Sequence, residues 1–240
     1  VLHEASFDNH ANFGCGLEAL DKILGNGFVP GSAILVGGEP GIGKSTLLLQ
    51  LAGAVASGKY IENNVCIKTQ EPHTVLYASG EESLPQIKAR AERLEVLHDN
   101  LLAIATNRVQ DIVDIIETAS PDLLIVDSVQ TLSSDMAEGL AGNVSQVKAC
   151  TTELVDACKK NNTTLILVGH VTKDGDLAGP RLLEHLVDTV ISLEGDRKQV
   201  FRLLRVLKNR FGPNQELIVF QMKQKGLEVV EDPSTFFLGA

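Results

Sequence analysis

No apolar run in this chain approaches the ~18 residues of a membrane-spanning helix, and no charged-then-apolar leader opens it. The expectation is a soluble, intracellular protein, cytoplasmic and without a membrane partner. Cysteine is sparse: Cys15, Cys66, Cys150 and Cys158 form no C-x-x-C pair. That excludes an obvious zinc site and predicts reduced, packed thiols. Positive charge is in deficit, with a formal net charge of −10, which argues against a broad basic surface that grips nucleic acid nonspecifically. DNA is not thereby excluded, because a ring of subunits can present a few Lys and Arg to a central channel while its outside stays acidic. Internal repeats and low-complexity tracts are absent, and 240 residues suit one large α/β domain.

What is present centres on Gly38-Glu39-Pro40-Gly41-Ile42-Gly43-Lys44-Ser45, which satisfies G-x-x-x-x-G-K-[ST] and is followed by Thr46. The β-prone run Ala33-Ile34-Leu35-Val36 precedes it, and Leu47, Leu48, Leu51 and Val55 follow at helical spacing, so strand, glycine loop and helix stand in the order the motif needs. Glycines let backbone N–H groups turn towards phosphates, the new helix points its positive end at them, and Lys44 reaches the β/γ oxygens. Ser45 is placed to give its hydroxyl to Mg²⁺. A nucleoside triphosphate is the expected ligand.

Residues 1–12 read as an arm or linker, 13–230 as one ATPase domain and 231–240 as a linker. Leu17, Leu20, Ile23 and Leu24 keep helical spacing up to Gly25-Asn26-Gly27. Ser57 to Pro72 is polar around Val65-Cys66-Ile67 and reads as a surface excursion. Strands are expected at 74–78, 101–105, 123–126 and 164–169. Helices marked by Leu84/Ile87/Ala91/Leu94, Val109/Ile112/Val113/Ile116 and Val144/Val147/Cys150/Leu154/Cys158 alternate with them. The alternation predicts a parallel sheet covered on both faces. From Val187 the runs 187–193, 200–208, 217–222 and 227–230 lack intervening helices and predict an antiparallel extension.

Several residues at strand ends carry candidate chemistry. Asp127 follows Leu123-Leu124-Ile125-Val126, the hydrophobic-strand-then-acid pattern of a Walker B element, at the sheet edge where Mg²⁺ would sit. Glu81 is the candidate to orient and deprotonate water, with Glu82 as its understudy. From the residues alone, the pair could equally be an acidic helix N-terminus. His170 could sense the γ-phosphate, although a lone His at a strand end is more often structural. Lys208-Asn209-Arg210-Phe211-Gly212 could place two cations on a phosphate bound by a neighbouring subunit. On charge alone a solvent-facing hairpin tip is the simpler reading. A small-GTPase reading fails, because no Asn-Lys-x-Asp motif occurs and Asp127-Ser128-Val129-Gln130 lacks the glycine of D-x-x-G.

Together the P-loop, Ser79-Gly80-Glu81-Glu82-Ser83, Val126-Asp127-Ser128-Val129-Gln130, Gly169-His170-Val171-Thr172-Lys173-Asp174-Gly175, Gly179-Pro180-Arg181 with Leu183-Glu184-His185, and Lys208-Asn209-Arg210-Phe211-Gly212 closely resemble the ATPase domain of the bacterial RadA (Sms) family. The resemblance runs from about Phe13 to Val230. It implies a RecA-like P-loop core that hydrolyses ATP with Mg²⁺, assembles into homo-hexameric rings, and acts on single-stranded or branched DNA in recombinational repair and branch migration, beside a recombinase partner. It assigns water activation to Glu81, γ-phosphate sensing to His170, and action in trans to Lys208 and Arg210. Lys173 to Arg181 becomes a DNA-facing loop, with Lys173 and Arg181 as its cations, and Ser133 to Asn143 a second channel loop. Family members usually carry an N-terminal four-cysteine zinc module and a C-terminal Lon-like domain, neither present here, so 231–240 is expected to lead towards the latter. The competing reading is a KaiC-like regulatory ring, which shares the core and the Glu-Glu edge but times protein partnerships. The two differ in whether DNA raises turnover.

Overall fold

The computed structural model describes residues 11–62, 65–170, 180–195, 200–213 and 216–230, apart from the side chains of Pro180 and Arg181. In chain order the elements are α1 (Glu18–Leu24), β1 (Ala33–Gly38), α2 (Lys44–Ser57), β2 (Lys59–Glu62), β3 (Val65–Thr69), β4 (Val75–Ser79), α3 (Leu84–Arg93), β5 (Leu101–Ala105), α4 (Val109–Ala119) and β6 (Leu123–Asp127). There follow α5 (Val144–Lys160), β7 (Thr164–His170), α6 (Pro180–Leu183), β8 (Thr189–Glu194), β9 (Phe201–Asn209), β10 (Leu217–Lys223) and β11 (Gly226–Val229). A nine-stranded sheet in the order β11-β10-β9-β8-β1-β7-β6-β4-β5 forms the centre.

The continuous apolar runs of β1, β4, β6 and β7 are what strands buried on both faces require, and each is buried almost throughout. Alternate side chains sort to opposite faces. Ile34, Val36, Val75, Tyr77, Leu123, Ile125, Ile166 and Val168 pack towards α1, α2 and α3. Ala33, Leu35, Leu76, Ala78, Leu124, Val126, Leu165 and Leu167 pack towards α4 and α5, against Ile112, Ile116, Val147 and Leu154. Helix α2 buries Leu47, Leu48, Leu49, Leu51 and Val55, at about 1.5–3 kcal/mol for each fully buried side chain. Packing thus anchors the helix, and its amino end remains without a side-chain cap.

The RecA-like class expected from the sequence is the one observed, a mostly parallel sheet flanked by helices with an antiparallel end. The extension starts one strand later than the sequence suggests, because β8 pairs parallel with β1, Ile34 opposite Thr189. Strands β9 to β11 then run antiparallel in turn. The short helix α6 ahead of β8 escaped the sequence reading, since one turn leaves no periodicity to detect.

The 57–72 excursion is a two-stranded hairpin, β2–β3, and its β2 is no mere surface loop. Tyr60 is buried and its hydroxyl bonds Asp21. Ile61 N–H donates to the Gly16 carbonyl, and the Gln70 amide exchanges two bonds with Gly14. Strand β3 is exposed along its length, and with it Cys66, the one thiol that departs from the expected burial. Phe13 forms an isolated bridge with Phe28; residues 1–10 and 231–240, where most of the expected arm and the linker fall, lie outside the described residues.

Candidate active site

The carboxyl ends of β1, β7, β6 and β4 share one edge of the sheet, with Gly38 opposite His170 and Ser79 opposite Asp127 in register. In open α/β sheets the crevice outside these ends is where ligands bind. The glycine loop leaves β1 with positive φ at Gly38, Gly41 and Gly43 (154°, 78° and 114°). A Cβ at Gly38 would lie 2.5 Å from the Leu193 carbonyl oxygen, so only glycine fits that approach. Helix α2 starts at Lys44 without a side-chain cap, which leaves its first N–H groups directed at an incoming anion. Lys44 is 4 % exposed, and its Nζ donates to the Gly38 and Glu39 carbonyls at 2.7 and 2.8 Å. Ser45, one residue further on, is half-buried.

Asp127 ends β6 and is 3 % exposed. Its Oδ2 accepts a 2.7 Å bond from the Tyr77 hydroxyl, and its buried Oδ1 has no hydrogen-bond partner among the described residues. A buried carboxylate oxygen left bare is costly, and beside a phosphate cradle this one suits a cation or its bound water. Ser45 and Asp127 therefore fit Mg²⁺. Ligand atoms of Glu81, Asp127 and His170 lie within 4.8 Å of one another.

Glu81 and His170, 89 residues apart, meet directly: Glu81 Oε1 lies 2.8 Å from His170 Nε2. Because an ionised carboxylate can only accept, the imidazole donates. Ser128 Oγ donates to the same oxygen at 2.7 Å. The His170 hydrogen bond, opposed by partial burial and helped by Ser128 and the charges of His170 and Lys44, draws the Glu81 carboxyl down to about 2. It is an ionised acceptor at any working pH. Glu82 turns the other way and pairs with Arg90 of α3; burial outweighs that partner and raises its carboxyl. Of the two glutamates the site holds Glu81.

Beside this cluster stand residues to which the sequence alone assigned no role. Gln130 Nε2 donates to the His170 carbonyl at 3.2 Å, tying the turn after β6 to the end of β7. Arg202, 4 % exposed on β9, donates from Nε to the Ile42 carbonyl of the glycine loop at 2.8 Å. The one sequence signal for Tyr77 and Arg202 is a polar group inside an apolar strand, which must find a partner when buried.

Lys208 and Arg210 are not at this edge. Asn209 pairs with Thr189, which pairs with Ile34, so the turn lies at the amino ends of the parallel strands. Four residues of β1 separate that level from Gly38, about 13 Å of extended chain. Lys208 Nζ is bound by the Glu184 and Val187 carbonyls. Arg210 forms a 2.6 Å pair with Asp188, its side chain 62 % exposed. Lys173 lies outside the described residues, as does the side chain of Arg181, whose backbone belongs to α6. The 133–143 segment is shaped by buried Gln146, whose amide bonds Ser134 N–H and the carbonyls of Ser134, Ala137 and Gly139. It holds Met136 and Leu140 out at 81 and 85 % exposure.

The chain matches the AAA domain family over residues 4–176. It is similar to the DNA repair protein RadA of Aquifex aeolicus, at 46 % identity over 96 % of this chain and 49 % of that protein. The same protein of Streptococcus pneumoniae is 47 % identical over 92 % of this chain and 50 % of its own length. That of Listeria monocytogenes is 47 % identical over 91 % and 45 %. The chain thus spans about half the length of the curated relatives it matches. The crystal structure of the RadB recombinase superposes with a TM-score of 0.64 at 22 % identity, covering 91 % of this chain and 99 % of that one, a likeness of fold. Among the described residues no helix is long and apolar enough to cross a membrane.

Proposed function

The chain belongs to the AAA domain family, with RadA-type DNA repair proteins as its relatives, and from that premise we propose that it is the ATPase motor of such a protein. It hydrolyses ATP, is stimulated by single-stranded or branched DNA, and drives branch migration in recombinational repair. It works as a homo-hexameric ring in the cytoplasm beside a recombinase. The observation that carries the reading is the Glu81–His170 contact next to Asp127 and the P-loop. It couples an ionised acceptor for a water proton to the strand end that leads into residues 171–179.

In this reading the N–H groups of residues 41–46 hold the β- and γ-phosphates, and Lys44 leaves the Gly38 and Glu39 carbonyls for the phosphate oxygens. Ser45 and Asp127 hold Mg²⁺, which when bound neutralises charge developing on the phosphates. Glu81 orients the attacking water and takes its proton. Its bonds from Ser128 and His170 keep the carboxylate charged and limit where it can point. His170 carries the state of the γ-phosphate into the segment that follows, and Lys173 and Arg181, the latter in α6, face DNA. Met136 and Leu140 offer apolar contact to bases. Arg210 reaches the nucleotide of the neighbouring subunit, since its place at the opposite sheet edge separates it from its own P-loop.

The test is ATP turnover with and without single-stranded DNA, at low and raised salt, with Lys44→Ala as the control. Turnover that rises with DNA, loses the rise in salt and vanishes in Lys44→Ala is the expected result. Turnover indifferent to DNA in the full-length protein overturns the motor reading and returns the KaiC-like one.

A further inference from the structure

Tyr77 is fully buried in the middle of β4, on the sheet face packed by α2. In register it stands opposite Ile125, with Asp127 two residues on and therefore on the same face. Its hydroxyl donates to Asp127 Oδ2 at 2.7 Å. The other oxygen of that carboxylate, Oδ1, is buried and has no hydrogen-bond partner among the described residues. One oxygen of Asp127 is therefore held by a neutral donor and its twin is kept for something else.

We propose that Tyr77 is a positioning residue for the divalent cation: its hydroxyl locks the Asp127 carboxylate so that Oδ1 is presented to Mg²⁺ bound with the nucleotide. The inference rests on the ATPase reading of the site and deepens it. A phenol suits the task chemically. It fixes one oxygen by a directional bond yet leaves the carboxylate its full charge, whereas Lys or Arg at this position would neutralise the anion and compete with the metal. The ring belongs to the buried cluster that also holds Leu49 of α2 and Ile87 and Ala91 of α3. Partners of this kind behind a metal ligand change metal affinity by about 10–100-fold when removed.

Tyr77→Phe deletes the hydroxyl and keeps the ring. With a fluorescent ADP analogue, the Mg²⁺ concentration giving half-maximal tightening of nucleotide binding should rise by about tenfold or more, while affinity in EDTA stays unchanged. Asp127→Asn, run in the same assay, separates the two levels of the argument. If Asp127→Asn leaves the Mg²⁺ dependence unaltered, the metal reading of the site fails. If Asp127→Asn shifts it and Tyr77→Phe does not, the inference about Tyr77 alone is overturned. The chain has two tyrosines, so 3-fluorotyrosine labelling supplies a measurement that does not depend on a stable variant. The ¹⁹F resonance of residue 77 should move when Mg²⁺ is added to the ADP complex, with Tyr60 as the unmoved reference. A resonance at 77 that moves no more than that of Tyr60 overturns the proposal.

Discussion

Glu81 and Glu82 leave the same strand end and meet opposite surroundings. Ser79 Oγ accepts both of their N–H groups, at 3.2 and 3.1 Å, which turns the chain sharply enough for neighbouring side chains to diverge. Glu81 goes to His170 and Ser128, while Glu82 goes to Arg90. Gly80 permits the turn, since a Cβ there would fall 2.3 Å from Thr131 Oγ1. Glu81→Gln should keep nucleotide binding and lose turnover by about 10²–10⁴-fold, the usual worth of a general base. Glu82→Ala should spare turnover and instead lower the melting temperature, through loss of about 1–3 kcal/mol as Arg90 is left without its acceptor. Parallel ATPase assays and thermal melts decide this, and full turnover in Glu81→Gln removes the catalytic assignment.

Strand β9 is the element that joins the antiparallel extension to the phosphate site. Near its start Arg202 holds the Ile42 carbonyl, and beside it Met222 and Leu227 crowd Gly43, where an added Cβ would meet Met222 Cε at 2.9 Å. Gln50 of α2 exchanges two hydrogen bonds with the Leu227 backbone, 177 residues away. The extension is therefore the back wall of the glycine loop. Arg202→Met keeps an unbranched apolar stem to about the position of Nε but removes a charge-assisted bond of about 1.5–3 kcal/mol. ATP affinity should fall by about tenfold or more, with kcat less affected, because the loop loses its brace while Glu81 keeps its partners. A kcat loss at unchanged KM would place Arg202 in the chemistry instead.

At the scale of the whole molecule the proposed function needs residues from both ends of the parallel sheet. The P-loop, Asp127, Glu81 and His170 share the carboxyl edge, and Arg210 stands at the amino edge, exposed and paired with Asp188. Within one chain these two groups stand at opposite edges, whereas in the proposed ring of head-to-tail copies each subunit would complete the next. In the full-length protein, Arg210→Ala and Glu81→Gln should each be inactive. Mixed before assembly they should regain part of the turnover, because some interfaces then join an intact carboxyl edge to an intact Arg210. A mixture no more active than its components contradicts action in trans. Lys208, already engaged by two carbonyls of its own chain, is expected to act by shaping the turn more than by reaching out.

The sequence by itself determined the glycine loop, the order of the strands and helices apart from the β2–β3 hairpin and α6, and the place of Asp127 at a strand end. Each is written in contiguous residues: glycines at fixed offsets, apolar runs of strand length, and an acid at the end of one. Periodicity also named the core, since alternate positions of those runs are the residues the two faces bury. Only the tertiary structure decided which glutamate faces the site, that His170 touches it, that Tyr77 braces Asp127, that Arg202 braces the loop, and that Arg210 lies at the far edge. These contacts join residues 47, 50, 89 and 160 positions apart, and no local pattern specifies them. They follow from the strand order, in which β1 sits between β7 and β8. Placement of that kind is set by burying two faces of one sheet at once, which is a property of the assembled chain and of no segment within it.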